Sequence, residues 1–385
     1  MILLSSKVLI TGGAGFIGSY IAERLLEKGY FVKIYDKLLE ENYGPNPSTP
    51  SYLPINHENL KFIKGDLNDK NLLKRELEDT EIIIHLASKL GIGRSMYEIE
   101  NFIKENTLGT STLLDILVNS NNNVNKLIIA SSNCIYGEGL VKCPNCGVFK
   151  PQMRSPSQMK NKIWDIICPN CKIPTVPQLT PEETPPDCTS IYAYSKLHQE
   201  QLCLFIGKTY DINVTSLRLF NVIGARQALS NPYTGVCAIF TTSLLCGNPP
   251  LIYEDGLQSR DFVNVNDVAN AFMLAIENSN SKNEIFNVGT GTSTLLLKLA
   301  ELLSNLINPK IKPKILQVGR IGDVRNCIAD ISKIKNKLGF KPKYTFEDSV
   351  IQMIDYIKNL NKKIINNLND KTLAVLKELQ DKKII

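Results

Sequence analysis

The sequence predicts an α/β protein: a doubly wound parallel sheet with a smaller C-terminal lobe and an inserted metal ribbon. Three observations carry this expectation. The first third of the 385 residues alternates apolar runs with helical patterns, a Gly-rich turn joins the first run to the first helix, and two CxxC pairs interrupt the alternation midway.

The apolar runs 7–11, 31–35, 60–64, 82–86 and 126–131 read as strands, because each is short, β-branched or aromatic and bounded by turn residues. Between them, 16–28, 69–77 and a long segment at 102–119 repeat apolar residues at helical spacing. Gly44–Pro54 breaks the pattern and reads as a long loop after the second strand, placed to cover a ligand or a neighbour. From 138 to 187 the alternation stops, prolines accumulate and the cysteine pairs appear. A helix at 191–210 and a strand at 214–219 then resume the α/β order, and beyond Gly224 shorter elements suggest the second lobe. A polar helix at 364–379 with a thin stripe of Ile365, Leu368, Leu376 and Leu379 closes the chain. The expected division is 1–137 for the dinucleotide part, 138–187 for the ribbon, 188–220 for completion of the first part, 221–357 mainly for the substrate lobe, and 358–385 for a helical tail.

Composition is that of a globular chain, with 43% hydrophobic and 21% charged residues. No apolar stretch approaches the roughly 18 residues of a membrane span and no basic leader precedes the first strand, so a cytoplasmic location is expected. The net charge of +6 is uneven: 140–179 carries about +5 and 358–385 about +4, leaving the body slightly acidic. A surface that tracks nucleic acid is therefore not expected.

Cys143-Pro-Asn-Cys146 and Cys168-Pro-Asn-Cys171 are separated by 21 residues. Two such knuckles bring four thiolates to one tetrahedral ion, so a structural zinc is expected there. The other six cysteines show no such pattern and read as small buried residues.

Thr11-Gly12-Gly13-Ala14-Gly15-Phe16-Ile17-Gly18 follows the first strand and opens the first helix. In that context Gly12 allows the tight turn, Gly15 lets the backbone approach a pyrophosphate at the helix N-terminus, and Gly18 allows close helix packing. Asp36, 18 residues past Gly18, ends the second strand. A carboxylate there accepts hydrogen bonds from ribose hydroxyls and repels a 2′-phosphate, which favours NAD over NADP. Tyr192 and Lys196 lie one helical turn apart, so they share a face. There the lysine is expected to hold the nicotinamide ribose and to lower the phenol pKa toward working pH. Ser132, at the end of the fifth strand, lies at the sheet edge where ligands of doubly wound folds collect.

These motifs, in this order, together with His85-Leu86-Ala87, Asn106, Arg218-Leu-Phe-Asn221, Arg260-Asp261, Asn287-Val-Gly289 and Arg320-Ile-Gly-Asp323-Val-Arg325, resemble the extended short-chain dehydrogenase/reductase superfamily in its NAD-dependent nucleotide-sugar epimerase/dehydratase branch. The resemblance covers about residues 7–345 and implies a Rossmann-type sheet and usually a homodimer. It implies that Gly12, Gly15, Phe16, Ile17, Gly18, Asp36, Asp66, Leu67, Leu86, Ala87, Asn106, Tyr192 and Lys196 line NAD. By the same correspondence Ser132, Asn221, Arg260 and Arg320 meet a nucleotide-diphosphate sugar, and His85 supports the strand-end turn.

Hexose 4,6-dehydratases of this branch resemble one another in an Asp-Glu pair after the serine, whereas Asn133-Cys134 stands here. The resemblance therefore implies 4-epimerisation by transient oxidation at sugar C4, with Ser132, Tyr192 and Lys196 catalytic. It is nearest to 4-epimerases of the dTDP-L-rhamnose or UDP-glucose type that carry a CxxC…CxxC insertion. The competing readings are a net reductase or dehydrogenase, or a UDP-uronate decarboxylase, on the same site. A noncatalytic nucleic-acid binder would not need the Ser132, Tyr192 and Lys196 set.

Overall fold

The computed structural model describes residues 6–43, 47–50, 52–227, 235–320 and 322–360, with 370, 374, 377, 378, 381 and 382 beyond them. The apolar stripe expected at 364–379 lies outside the described residues.

Seven parallel strands form the main sheet: β1 (Lys7–Thr11), β2 (Phe31–Asp36), β3 (Leu60–Lys64), β4 (Ile82–His85), β5 (Lys126–Ser132), β6 (Asn213–Leu219) and β7 (Glu284–Val288). Their order is β7-β6-β5-β4-β1-β2-β3, so the chain reverses direction between β1 and β4 and opens a crevice there. Both faces of the sheet are covered, which is why the central strands β1 and β4 are near-continuous apolar runs, whereas the edge strand β3 exposes Lys61 and Lys64. Val8, Ile10, Ile82, Ile84 and Ile128 enter one core, while Leu9, Ile83, Leu127 and Ile129 enter the other.

The six strands expected from sequence lie within a residue or so of their predicted bounds. The seventh comes from inside the segment assigned mainly to the second lobe. It pairs with β6 from Thr215↔Glu284 to Leu219↔Val288. The helix before it, Val265–Glu277, packs against α1 (Phe16–Glu27). Alternation fails to announce this strand because the chain visits the small lobe before returning.

The long helix expected at 102–119 is broken. A short turn at Ile99–Phe102 leads into a π-helical segment, Ile103–Leu108, before α2 (Gly109–Asn119). The wider turn aims Asn106 inward, where it is fully buried: its Oδ1 accepts from Lys89 N at 2.6 Å and its Nδ2 donates to Ser195 Oγ at 2.8 Å. Satisfied buried polar groups of this kind specify one register and stabilise the irregular turn.

The ribbon is a hairpin, Val141–Cys143 with Gly147–Phe149, extended by Val176–Pro177 on its other edge. It leaves through Leu179–Thr180, which joins a four-stranded sheet of the second lobe beside Asn326–Ala329. That lobe has its own core of Phe240, Leu244, Leu299, Leu303, Met353 and Ile357. No helix among the described residues is long and apolar enough to cross a membrane.

Candidate active site

Gly12 has φ +69°, and a Cβ there would lie 2.8 Å from the Ala87 nitrogen, so only glycine lets the turn pass under the end of β4. A Cβ on Gly18 would meet Gly13 Cα at 2.6 Å, which fixes how closely α1 approaches the turn. α1 opens at Gly15 without a side-chain cap or an acidic residue in its first turn. The first-turn N–H groups, those of Phe16 and Ile17 among them, are thus left without a side-chain cap, an arrangement that suits an anion.

Asp36 is buried, and each carboxylate oxygen takes one backbone N–H: Ala14 N at 3.0 Å and Leu38 N at 2.8 Å. A carboxylate offers about four acceptor positions, so two hydroxyls can still be received. Burial raises its pKa while these two bonds oppose the rise. Next to it, Lys37 is engaged by Asp66 and Glu105, each at 2.8 Å. Its charge is thereby matched within the protein and withdrawn from the ribose side. Asp66 also accepts from Asn68 N at 2.9 Å, and its pKa is lowered by Lys37 and Asn68 against the opposing effect of burial. Leu67 is buried in the core beneath.

His85 ends β4 in a buried relay: Thr11 Oγ1 lies 2.7 Å from Nδ1, and Thr110 Oγ1 2.9 Å from Nε2. Thr110 also accepts from Gln199 Nε2 at 2.7 Å, which ties β1, β4 and α2 to the helix α3 (Ile191–Thr209). The Leu86 and Ala87 N–H groups donate to Thr11 O and Oγ1 at 3.0 and 3.3 Å. Burial, then Lys196, lowers the His85 pKa to about 3, so the ring is neutral in the fold. Since the unfolded chain takes up a proton below about 6.5, stability present above that pH falls as pH drops toward 3. Between pH 7 and 5 this histidine is expected to cost about 2 kcal/mol. Urea titrations should show that loss, and a His85→Gln variant with the same slope would remove His85 as its source.

Ser190 caps α3, its Oγ accepting from Ala193 N at 3.1 Å. This sets Tyr192 in the first turn and Lys196 one turn on, on a helix that packs against β5, at whose end Ser132 stands. Phe102 packs edge-on against the Tyr192 ring at 6.4 Å. Lys196 is 3% exposed, and no hydrogen bond or ion pair reaches it among the described residues. Burial lowers its pKa to about 8. The expectation that Lys196 depresses the phenol is not what the protein groups give. Burial of Tyr192, and then Cys134, push the phenol above its ordinary value, and only Ser132 opposes them. Desolvation sets the shift, and Lys196 is not among the groups that move it.

On the far side of the crevice, one carboxylate organises two arginines. Asp323 accepts from Arg260 at 2.7 Å and from Arg320 at 3.1 Å. Its pKa is lowered by these guanidinium groups against burial. Arg320 lies over the Tyr253 ring at 5.5 Å, and the buried Arg320 Nε and Tyr253 hydroxyl have no partner among the described residues. Two unclaimed donors beside a paired guanidinium suit an anionic ligand. Asn221 Nδ2 donates to Asp261 O at 3.2 Å. Sequence reasoning missed Asp323, although its place three residues after Arg320 was a usable signal.

Sγ atoms of Cys143, Cys146, Cys168 and Cys171 lie within 4.8 Å of one another. Cys143 and Cys171 are 3.2 Å apart, and Cys146 and Cys171 3.8 Å. Tetrahedral Zn–S bonds of about 2.3 Å place sulfurs about 3.8 Å apart, so the donor set and its spacing fit zinc. One zinc per chain is expected by elemental analysis, and Cys143→Ser should abolish it; wild-type protein free of zinc would sink the assignment.

The fold and crevice define a dinucleotide-dependent enzyme. Residues 9–153 match a family model described as GDP-mannose 4,6 dehydratase, and residues 169–289 one described as NAD dependent epimerase/dehydratase family. A dTDP-L-rhamnose 4-epimerase from Burkholderia thailandensis is 31% identical, covering 91% of this chain and 94% of the relative. A putative UDP-glucose 4-epimerase from Methanocaldococcus jannaschii is also 31% identical, covering 92% and 99%. A UDP-glucuronic acid 4-epimerase from Bacillus cereus, solved with UDP-glucuronic acid and NAD, superposes with a TM-score of 0.74 at 25% identity, covering 92% and 100%. The chain belongs to the NAD dependent epimerase/dehydratase family.

Proposed function

We propose that this protein is a nucleotide-sugar 4-epimerase of the dTDP-L-rhamnose or UDP-glucose type that retains its NAD. The observation that supports this reading is that α3, with Tyr192 and Lys196 on its first turns, packs against β5, which ends at Ser132 in the same sheet as the Gly12 turn and Asp36. Gly12, Gly15, Phe16, Ile17, Asp36, Leu86, Ala87 and Lys196 would hold NAD, which supplies a hydride acceptor when bound. Asn106 acts from behind, pinning the Lys89 backbone to Ser195 of α3.

Tyr192 takes the proton of the sugar C4 hydroxyl, and Ser132 shares that hydrogen bond. Lys196 holds the ribose through its ammonium. Arg260 and Arg320 bind the diphosphate, and Asn221 lines the same crevice. The oxidised sugar turns in the pocket and is reduced on its other face, with no net redox change. Asn133 and Cys134 offer no carboxylate pair for water elimination, which argues against dehydration.

The homodimer pairs α3 and the 99–119 segment of two copies. Tyr194, Phe205, Ile99, Ile103 and Leu108 expose apolar surface on them, Phe205 at 67%.

Proton NMR with UDP-glucose, UDP-N-acetylglucosamine and dTDP-L-rhamnose in separate tubes, without added reductant, tests the reading. A new anomeric signal in one tube is expected and names the substrate. Silence in all three, with consumption of NADH by a 4-keto sugar nucleotide, would instead establish a net reductase.

A further inference from the structure

The cysteine ribbon has no side chain in the Ser132, Tyr192 and Lys196 centre, yet it is built into the loop that carries Arg320 and Asp323. The 21 residues between the two knuckles contain Arg154, Met159, Trp164 and Asp165. Arg154, 4% exposed, donates through one guanidinium nitrogen to the Asp323 carbonyl at 3.1 Å. Its remaining nitrogens reach Glu138 at 3.2 Å, Glu254 at 2.8 Å and the Trp164 carbonyl at 3.1 Å. Glu138, fully buried at the ribbon's entrance, accepts from the Arg325 backbone N–H at 2.7 and 2.9 Å. Asp165 pairs with the Arg325 side chain at 2.9 Å.

Apolar packing acts on the same loop. A Cβ on Gly319 would meet Met159 Sδ at 3.1 Å and Trp164 Cζ3 at 3.4 Å, so the ribbon lies flush against the residue before Arg320. The ribbon's exit strand continues into the sheet in which Arg260 stands opposite Cys327.

We infer that the ribbon is a positioning element for the diphosphate site, and that Arg154 transmits it through Asp323 to Arg260 and Arg320. This rests on the nucleotide-sugar reading above. Tying the segment's two ends at the knuckles removes loop freedom, so Arg154 is delivered to Asp323 in one place. A guanidinium is needed because it must serve four acceptors in one plane.

The test is calorimetric titration of the holoenzyme with UDP and with dTDP. Arg154→Met is expected to weaken binding of the nucleotide the wild type takes by about ten-fold or more. It should raise KM for the sugar nucleotide by a similar factor, with kcat at saturation and bound NAD within two-fold of wild type. Arg154→Lys should fall between. Trp164→Ala removes the packing without touching charge and should shift Kd in the same direction by less. It also supplies the answer if Arg154→Met does not fold. Unchanged nucleotide affinity in a folded Arg154→Met, or in Trp164→Ala if Arg154→Met does not fold, overturns the inference. A wild type that binds neither UDP nor dTDP overturns the reading beneath it instead.

Discussion

Replacing Tyr192 by phenylalanine is expected to lower kcat by about 10³-fold, the size of effect general acid–base catalysis supplies. In the proposed mechanism the phenol exchanges a proton with the substrate hydroxyl, from the first turn of α3 and one turn before Lys196. Its ring packs on Phe102, and phenylalanine keeps that contact, so the fold and bound dinucleotide should survive. Turnover can be followed by NMR, and bound NAD by release on denaturation. A variant that keeps more than a tenth of wild-type turnover would show that another group moves the proton.

Glu200→Ala is expected to destabilise the protein by about 3–5 kcal/mol, read as a shift in the urea midpoint. Glu200 lies on α3 one turn past Lys196, buried, and pairs with Arg218 of β6 at 2.6 Å. It also accepts from Ser216 Oγ at 2.8 Å. Removing it strands a guanidinium that is 4% exposed, left with only Tyr136 Oη at 2.8 Å and the Glu182 carbonyl at 2.9 Å. Combining Glu200→Leu with Arg218→Met should recover most of the loss, because the cost lies in the unpaired charge rather than in the missing pair. A midpoint unchanged in the single variant would mean that water reaches Arg218.

The strands of the nucleotide half were legible because a sheet covered on both faces writes itself as continuous apolar runs, as in Ile82–Ile84. The Gly12 turn was legible because its φ and its approach to Ala87 can be met only by glycine. What escaped depends on chain pairing at long range. β7 lies 65 residues beyond β6 and carries no periodicity of its own. The break at Ile103–Leu108 is set by where Asn106 finds Lys89 and Ser195, and helical spacing alone cannot foresee it. Arg260, Arg320 and the four knuckle cysteines could be picked out by residue type and motif. Asp323 went unassigned although it stands three residues after Arg320, and Arg154 could not be picked out at all, because its role comes from a meeting of segments 169 residues apart.

The double engagement of Asp36 bears on how such a protein could evolve. Its carboxylate receives the Ala14 and Leu38 amides of the backbone that shapes the turn. An exchange for serine or alanine, the simple route toward a phosphorylated ribose, would leave at least one buried amide without an acceptor, at about 1–3 kcal/mol each. Dinucleotide preference is thus tied to foldedness. A lineage changing its cofactor would have to adjust the Ala14 and Leu38 backbone together with this position, because a single substitution here costs stability before any new affinity can appear.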